Sequence, residues 1–151
     1  MLLATLCYIK HNGQTLMVYR NKKPNDIHAG KWNGLGGKFE SGETPEECVL
    51  REVREESGLE ITHPKLHGLV MFPGFKGADW YVFVFTATEF TGELISSPEG
   101  ELKWIPDEEL EFLSLWPSDQ YFFRWMREGK FFSAKFVYDG DEFLSHEVVF
   151  Y

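Results

Sequence analysis

The chain of 151 residues carries 24 acidic and 15 basic side chains, and a formal net charge of −9 argues against a binder of nucleic-acid polymers, whose phosphates require basic neutralisation. Hydrophobic residues make up 43% of it, with 14 Phe, 6 Tyr and 5 Trp, enough to build the core of one domain over residues 1–151 and leave rings for a pocket. Cys7 and Cys48 are too few for a disulfide framework or a Cys-based zinc site, and no apolar run is long enough for a membrane span, so a cytoplasmic location without a membrane partner is the default expectation.

In chain order, residues 3–9 and 16–20 read as strands joined by a tight turn at Asn12-Gly13. A loop over residues 24–31 leads to the glycine-rich run Gly34-Leu35-Gly36-Gly37, whose backbone can approach a ligand closely. Thr44, Pro45 and Glu47 then stand as N-cap, first helical residue and capping-box partner, with Gly58 as the stop. Residues 65–72 and 80–88 read as two further strands, broken by Pro73-Gly74 and Gly77. Residues 103–105 form a short strand before an acidic helical turn at 106–110. A second helix runs from about Pro117 to Arg127, and residues 131–138 and 143–150 make a closing hairpin around Asp139-Gly140. Cys7 lies in the first strand and Cys48 in the first helix, so both are expected as buried thiols. His11, His28, His63, His67 and His146 have no metal-ligand spacing and are expected at surface or structural positions. Mixed strands with two helices predict an α+β fold, a curved mixed sheet sandwiched between helices.

The densest chemistry lies in residues 37–59, GKFESGETPEECVLREVREESGL. Glu52, Glu55 and Glu56 fall at i, i+3 and i+4, so their carboxylates share one helix face, where like charges repel. A divalent cation cancels that repulsion, and hard oxygen ligands suit Mg²⁺, with Mn²⁺ as a substitute. Arg51 is placed to orient a carboxylate by a two-pronged contact.

This stretch follows G-x5-E-x7-R-E-V-x-E-E-x-G-L from Gly37 to Leu59, including Glu43, and resembles the Nudix hydrolase box at every defined position. Chance would give such a match at about one starting position in a billion. Two flanking segments resemble the MutT-type branch of that family, which acts on oxidised purine nucleoside triphosphates: Gly30-Lys31-Trp32-Asn33-Gly34, and Leu115-Trp116-Pro117-Ser118-Asp119 with the aromatic run Tyr121-Phe122-Phe123. The resemblance implies the Nudix fold and metal-dependent hydrolysis of a nucleoside triphosphate such as 8-oxo-dGTP to the monophosphate and pyrophosphate. It implies a small-molecule nucleotide as the partner and a monomer or homodimer. Asn33 would bond the purine edge, Trp116 would stack on the base and Asp119 would read its polar edge. Phe72 would line the pocket, and Lys23 would lie on the sugar–phosphate side. Gly36, Glu52, Glu55, Glu56 and Glu99 would hold the metal directly or through water, with Glu56, Glu55 or Glu99 as general base.

One departure bears on the base. Mammalian members of the branch carry two consecutive acids after Trp-Pro, and this chain has Ser118-Asp119. Oxidised guanine is therefore the expected substrate, with oxidised adenine handled less well. Pro73 offers a loose match to ADP-ribose-cleaving relatives, which leaves nucleotide sugars, dinucleoside polyphosphates and RNA 5′ ends as the alternative within the family. A non-catalytic sensor on the same fold would be expected to lose the box carboxylates, which this chain keeps.

Overall fold

A computed structural model describes residues 1–151. Its elements are β1 (Leu2–His11), β2 (Gln14–Arg20), β3 (Trp32–Asn33), α1 (Pro45–Ser57), β4 (Glu60–Thr62), β5 (Lys65–Phe75) and β6 (Ala78–Ala87). These are followed by β7 (Glu89–Thr91), β8 (Gly100–Pro106), a 3-10 turn (Asp107–Phe112), α2 (Pro117–Arg127), β9 (Phe132–Asp139) and β10 (Glu142–Phe150). The main sheet runs β10-β9-β5-β6-β1-β2-β3, with β8 also paired to β2, and β4 and β7 form a separate pair. It is mixed, with β1 parallel to β6, β5 parallel to β9 and the other pairs antiparallel. The expected α+β sandwich is the observed fold.

The period-2 alternation of the strands supplies both layers. Cys7, Ile9, Leu16 and Val18 turn to one face and pack with Val49 and Val53 of α1. Their neighbours Tyr8 and Met17 turn to the other, joining Phe122, Phe123 and Trp125 of α2 and Phe132 and Phe136 of β9. Both cysteines are buried and free, and His67 is a buried structural residue bonded to Thr86.

The caps of α1 form as the sequence predicts. Thr44 Oγ1 accepts from the Glu47 amide at 3.1 Å, Glu47 Oε1 accepts from the Thr44 amide at 3.1 Å, and Gly58 takes the left-handed conformation at φ 81°. Other expectations are corrected. Pro73-Gly74 does not end its strand: β5 continues to Phe75 through a register shift, and the turn falls on Lys76-Gly77, both at positive φ. The short strands β3, β4 and β7 escape the sequence reading because two or three residues carry no periodicity and their pairing comes from distant partners.

Candidate active site

A cavity of about 800 Å³ opens beside the glycine-rich run, and its lining divides into an acidic and an aromatic group. The acidic group comprises Glu52, Glu55 and Glu56 from α1 and Glu99 from the segment before β8. The i, i+3, i+4 spacing delivers the first three. Sheet pairing delivers the fourth, since Gly100 is in register with Arg20 and brings Glu99 to its guanidinium, Nη2 to Oε2 at 3.0 Å. Lys23 Nζ holds the other oxygen of Glu99 at 2.6 Å.

Glu56 is only 3% exposed, and the Gly36 amide donates to its Oε2 at 3.1 Å. Burial pushes its pKa from 4.5 up to about 8, against the opposing pull of that amide. Burial also raises the pKa of Glu52. Gly36 is required where it stands: its φ is 148°, and a Cβ there would lie 2.0 Å from the Thr5 carbonyl oxygen. The carbonyls of Leu35 and Gly37 accept from the Cys7 and Thr5 amides, whereas the Gly36 carbonyl between them takes no backbone donor.

Arg51 does not line the cavity but orients the carboxylates from behind, the role its spacing predicts. It sits behind them, with Nη1 donating to Glu52 Oε1 at 2.8 Å and Glu55 Oε2 at 3.1 Å. Nε and Nη2 grip Glu43 at 2.6 and 2.9 Å, and Nη2 also reaches the Lys38 carbonyl. The Arg51 hydrogen bonds hold the Glu43 carboxyl down at about 2. Glu43 is thus an anchor for Arg51, and Arg51 a brace for the acidic face. No three acidic, His or Cys side chains form a ready-made cation cage. Arg51 engages Glu52 and Glu55, Arg20 and Lys23 engage Glu99, and Glu56 rests on the Gly36 amide, so each acid has a partner within the protein.

In the aromatic group, Trp116 caps α2 and meets Phe75 and Tyr138 edge-on at centroid distances of 5.1 and 5.6 Å. Phe72 lines the same wall and stacks on Phe136. Asn33, Ser118 and Asp119 complete this end, and the Asn33 amide nitrogen and the Ser118 hydroxyl are buried without a protein partner. Such orphaned groups are costly unless a ligand or water satisfies them. Asp119 is 5% exposed, and burial raises its pKa from 3.8 to about 7.

The NUDIX domain model matches residues 2–126. The chain belongs to the Nudix hydrolase family. It is 34% identical over 138 residues to the oxidized purine nucleoside triphosphate hydrolase of Mus musculus, covering 89% of this chain and 88% of that one. It is 32% identical over 148 residues to the Danio rerio protein of the same name, covering 97% and 93%. Among solved structures it resembles a MutT protein from Bacillus halodurans, with a TM-score of 0.86, 32% identity and coverage of 98% and 97%.

Nudix hydrolases use divalent cations, and the cavity's carboxylates and the Gly36 carbonyl are hard oxygen atoms of the kind such cations take. Sequence reasoning missed Arg20, Asp26 and His28, all in the cavity wall. His28 was expected at a surface or structural position; its ring bonds Trp116, 88 residues away, a contact that no local spacing signals.

Gly37 gives a direct test of the acidic end. A Cβ there would lie 2.5 Å from the Glu52 carboxyl carbon, the movable end of a flexible side chain. Gly37→Ala is expected to keep its melting temperature and lose activity by about tenfold or more, through displacement of Glu52. Unchanged kinetics would show that the position of Glu52 does not matter.

Proposed function

We propose that this Nudix enzyme hydrolyses oxidised purine nucleoside triphosphates, such as 8-oxo-dGTP, to the monophosphate and pyrophosphate, with Mg²⁺ or in its place Mn²⁺, and so clears damaged nucleotides from the precursor pool. The observation that carries the reading is a single cavity joining a carboxylate wall to an aromatic plate flanked by unsatisfied buried polar groups. The mouse and zebrafish relatives, named for hydrolysis of oxidised purine triphosphates, support it.

Gly36, Glu52, Glu55, Glu56 and Glu99 would hold the cation directly or through water. When bound, it supplies charge neutralisation and Lewis acidity at the phosphates. Glu56 is assigned as proton acceptor for the attacking water. One of its oxygens is fixed by the Gly36 amide, whereas Glu55 is half exposed on Arg51 and both Glu99 oxygens are engaged by Arg20 and Lys23. Lys23, beside Glu99, lies where it can neutralise the phosphate chain. Trp116 and Phe72 would pack on the base, with Asn33, Ser118 and Asp119 bonding its edge.

Ser118 cannot act as a second carboxyl, so Asp119 alone must adapt to the base by gaining or losing a proton near pH 7. The kcat/KM for 8-oxo-dGTP should exceed that for 2-oxo-dATP by about tenfold or more. The ratio should change between pH 6, where Asp119 is a neutral donor, and pH 8, where it is an ionised acceptor, and should stay flat in Asp119→Asn. Equal values for the two nucleotides would sink the base assignment. Faster turnover of a nucleotide sugar in the same assay would move the enzyme to another Nudix substrate class.

A further inference from the structure

The indole of Trp116 has one polar atom, Nε1–H, which donates and cannot accept. Its partner is His28 Nδ1, 2.9 Å away. That contact fixes the imidazole tautomer: Nδ1 is the acceptor, and the ring proton sits on Nε2. The two rings stand nearly perpendicular, at an interplanar angle of 83°. Burial, reinforced by the Arg20 charge, holds the His28 pKa down to about 4, which keeps the acceptor available at neutral pH.

His28 is itself braced from behind. Its backbone amide donates to Asp26 Oδ1 at 3.0 Å, and the Asp26 carboxylate is gripped by Arg20 Nε and Nη2 at 2.9 and 3.3 Å. The Arg20 amide donates to the Lys31 carbonyl, and its carbonyl accepts from Gly30. The loop carrying His28 is therefore tied to β2 through side chain and backbone alike. On the indole, by contrast, Phe75 and Tyr138 make only edge contacts, which are weakly directional. The Lys31 and Lys76 ammonium groups lie 5.0 and 5.8 Å from the ring centroid, and the bond to His28 is the one hydrogen bond on the ring and the most directional of these contacts.

We propose that His28 is a positioning residue of the nucleotide site: it sets the plane of the Trp116 indole, so that the stacking surface is in place before the base arrives. This rests on the reading of Trp116 as the surface on which the base stacks. His28 acts on binding and takes no part in the chemistry at the carboxylate end.

The test combines nucleotide kinetics with the ¹H–¹⁵N indole signal of Trp116 in the nucleotide-free protein, assigned by its loss in Trp116→Phe. His28→Leu should raise KM for 8-oxo-dGTP about five- to tenfold, the worth of one buried hydrogen bond, with kcat within about twofold of wild type. The indole signal should move upfield, as expected for a lost acceptor. His28→Asn, whose Oδ1 can occupy the place of Nδ1, should restore both KM and the signal. Trp116→Phe lacks the donor, so adding His28→Leu to it should raise KM no further. A full additional rise in the double variant, or an indole signal that stays put in His28→Leu, overturns the proposal. If Trp116→Phe leaves KM unchanged, the stacking reading fails and the role of His28 falls with it. A Trp116→Phe effect without a His28→Leu effect defeats the role of His28 alone.

Discussion

Glu56→Gln is expected to cut pyrophosphate release by about a thousandfold while making the metal-free protein more resistant to heat at pH 8. The two effects have one origin. Gln keeps the volume of Glu and an oxygen to accept from the Gly36 amide, so the substitution removes charge and basicity and little else. In the folded chain burial raises the Glu56 pKa from 4.5 to about 8. Between those values the folded state holds a proton that the unfolded state has released, so stability is full below about pH 4.5 and is lost as pH rises through 8. Asp119, raised from 3.8 to about 7, adds a loss of the same sign that is complete about one unit earlier. Wild-type melting temperature should therefore fall from pH 5 to pH 8, and the Gln variant should fall less. Mg²⁺ should stabilise wild type increasingly as pH rises, because binding to Glu56 displaces its proton. Parallel melting curves for the two proteins would show that the carboxyl carries no such strain.

Arg51→Ala is expected to lower kcat by about a hundredfold, even though the guanidinium lies outside the cavity. The side chain engages Glu43, Glu52 and Glu55 and the Lys38 carbonyl at once, joining the box loop to the acidic helix face. Without it, Glu52 and Glu55 repel each other unrestrained and the Glu43 carboxylate loses the partner that holds its pKa down. Lysine should rescue little, because a single ammonium cannot make the planar fork to Glu43 while also donating to Glu52 and Glu55. Calorimetric titration with Mn²⁺ provides a second readout, and affinity should weaken in both variants. Wild-type kcat in Arg51→Lys would show that charge alone suffices at this position.

What the sequence discloses follows the range of the interactions concerned. The helix bearing Glu52, Glu55 and Glu56 is legible because Thr44, Pro45, Glu47 and Gly58 act within a turn of its ends. The Asn12-Gly13 hairpin is legible for the same reason, both residues having positive φ. Pro73-Gly74 misleads because a strand can absorb a proline in a bulge when its partner shifts register, which local composition does not reveal. At the site, Asn33, Trp116 and Asp119 came from resemblance, and their residue types alone would equally suit loop bonding, core packing or a helix start. The cavity places all three together, along with Glu99 at its acidic end. Arg20 and His28 had no such pattern behind them. Arg20 acts through Asp26 and Glu99, and His28 through a tryptophan 88 residues away in the chain, so only the folded chain reveals them.

On the proposed function, one cavity binds an oxidised purine at its aromatic end and cleaves the triphosphate at its acidic end. Initial rates of pyrophosphate release from 8-oxo-dGTP and from dGTP, with Mg²⁺ and again after chelation, test it most directly. Strong Mg²⁺-dependent hydrolysis of the oxidised nucleotide and weak hydrolysis of dGTP are expected. Equal rates on the two nucleotides, or no pyrophosphate from either, would contradict that function.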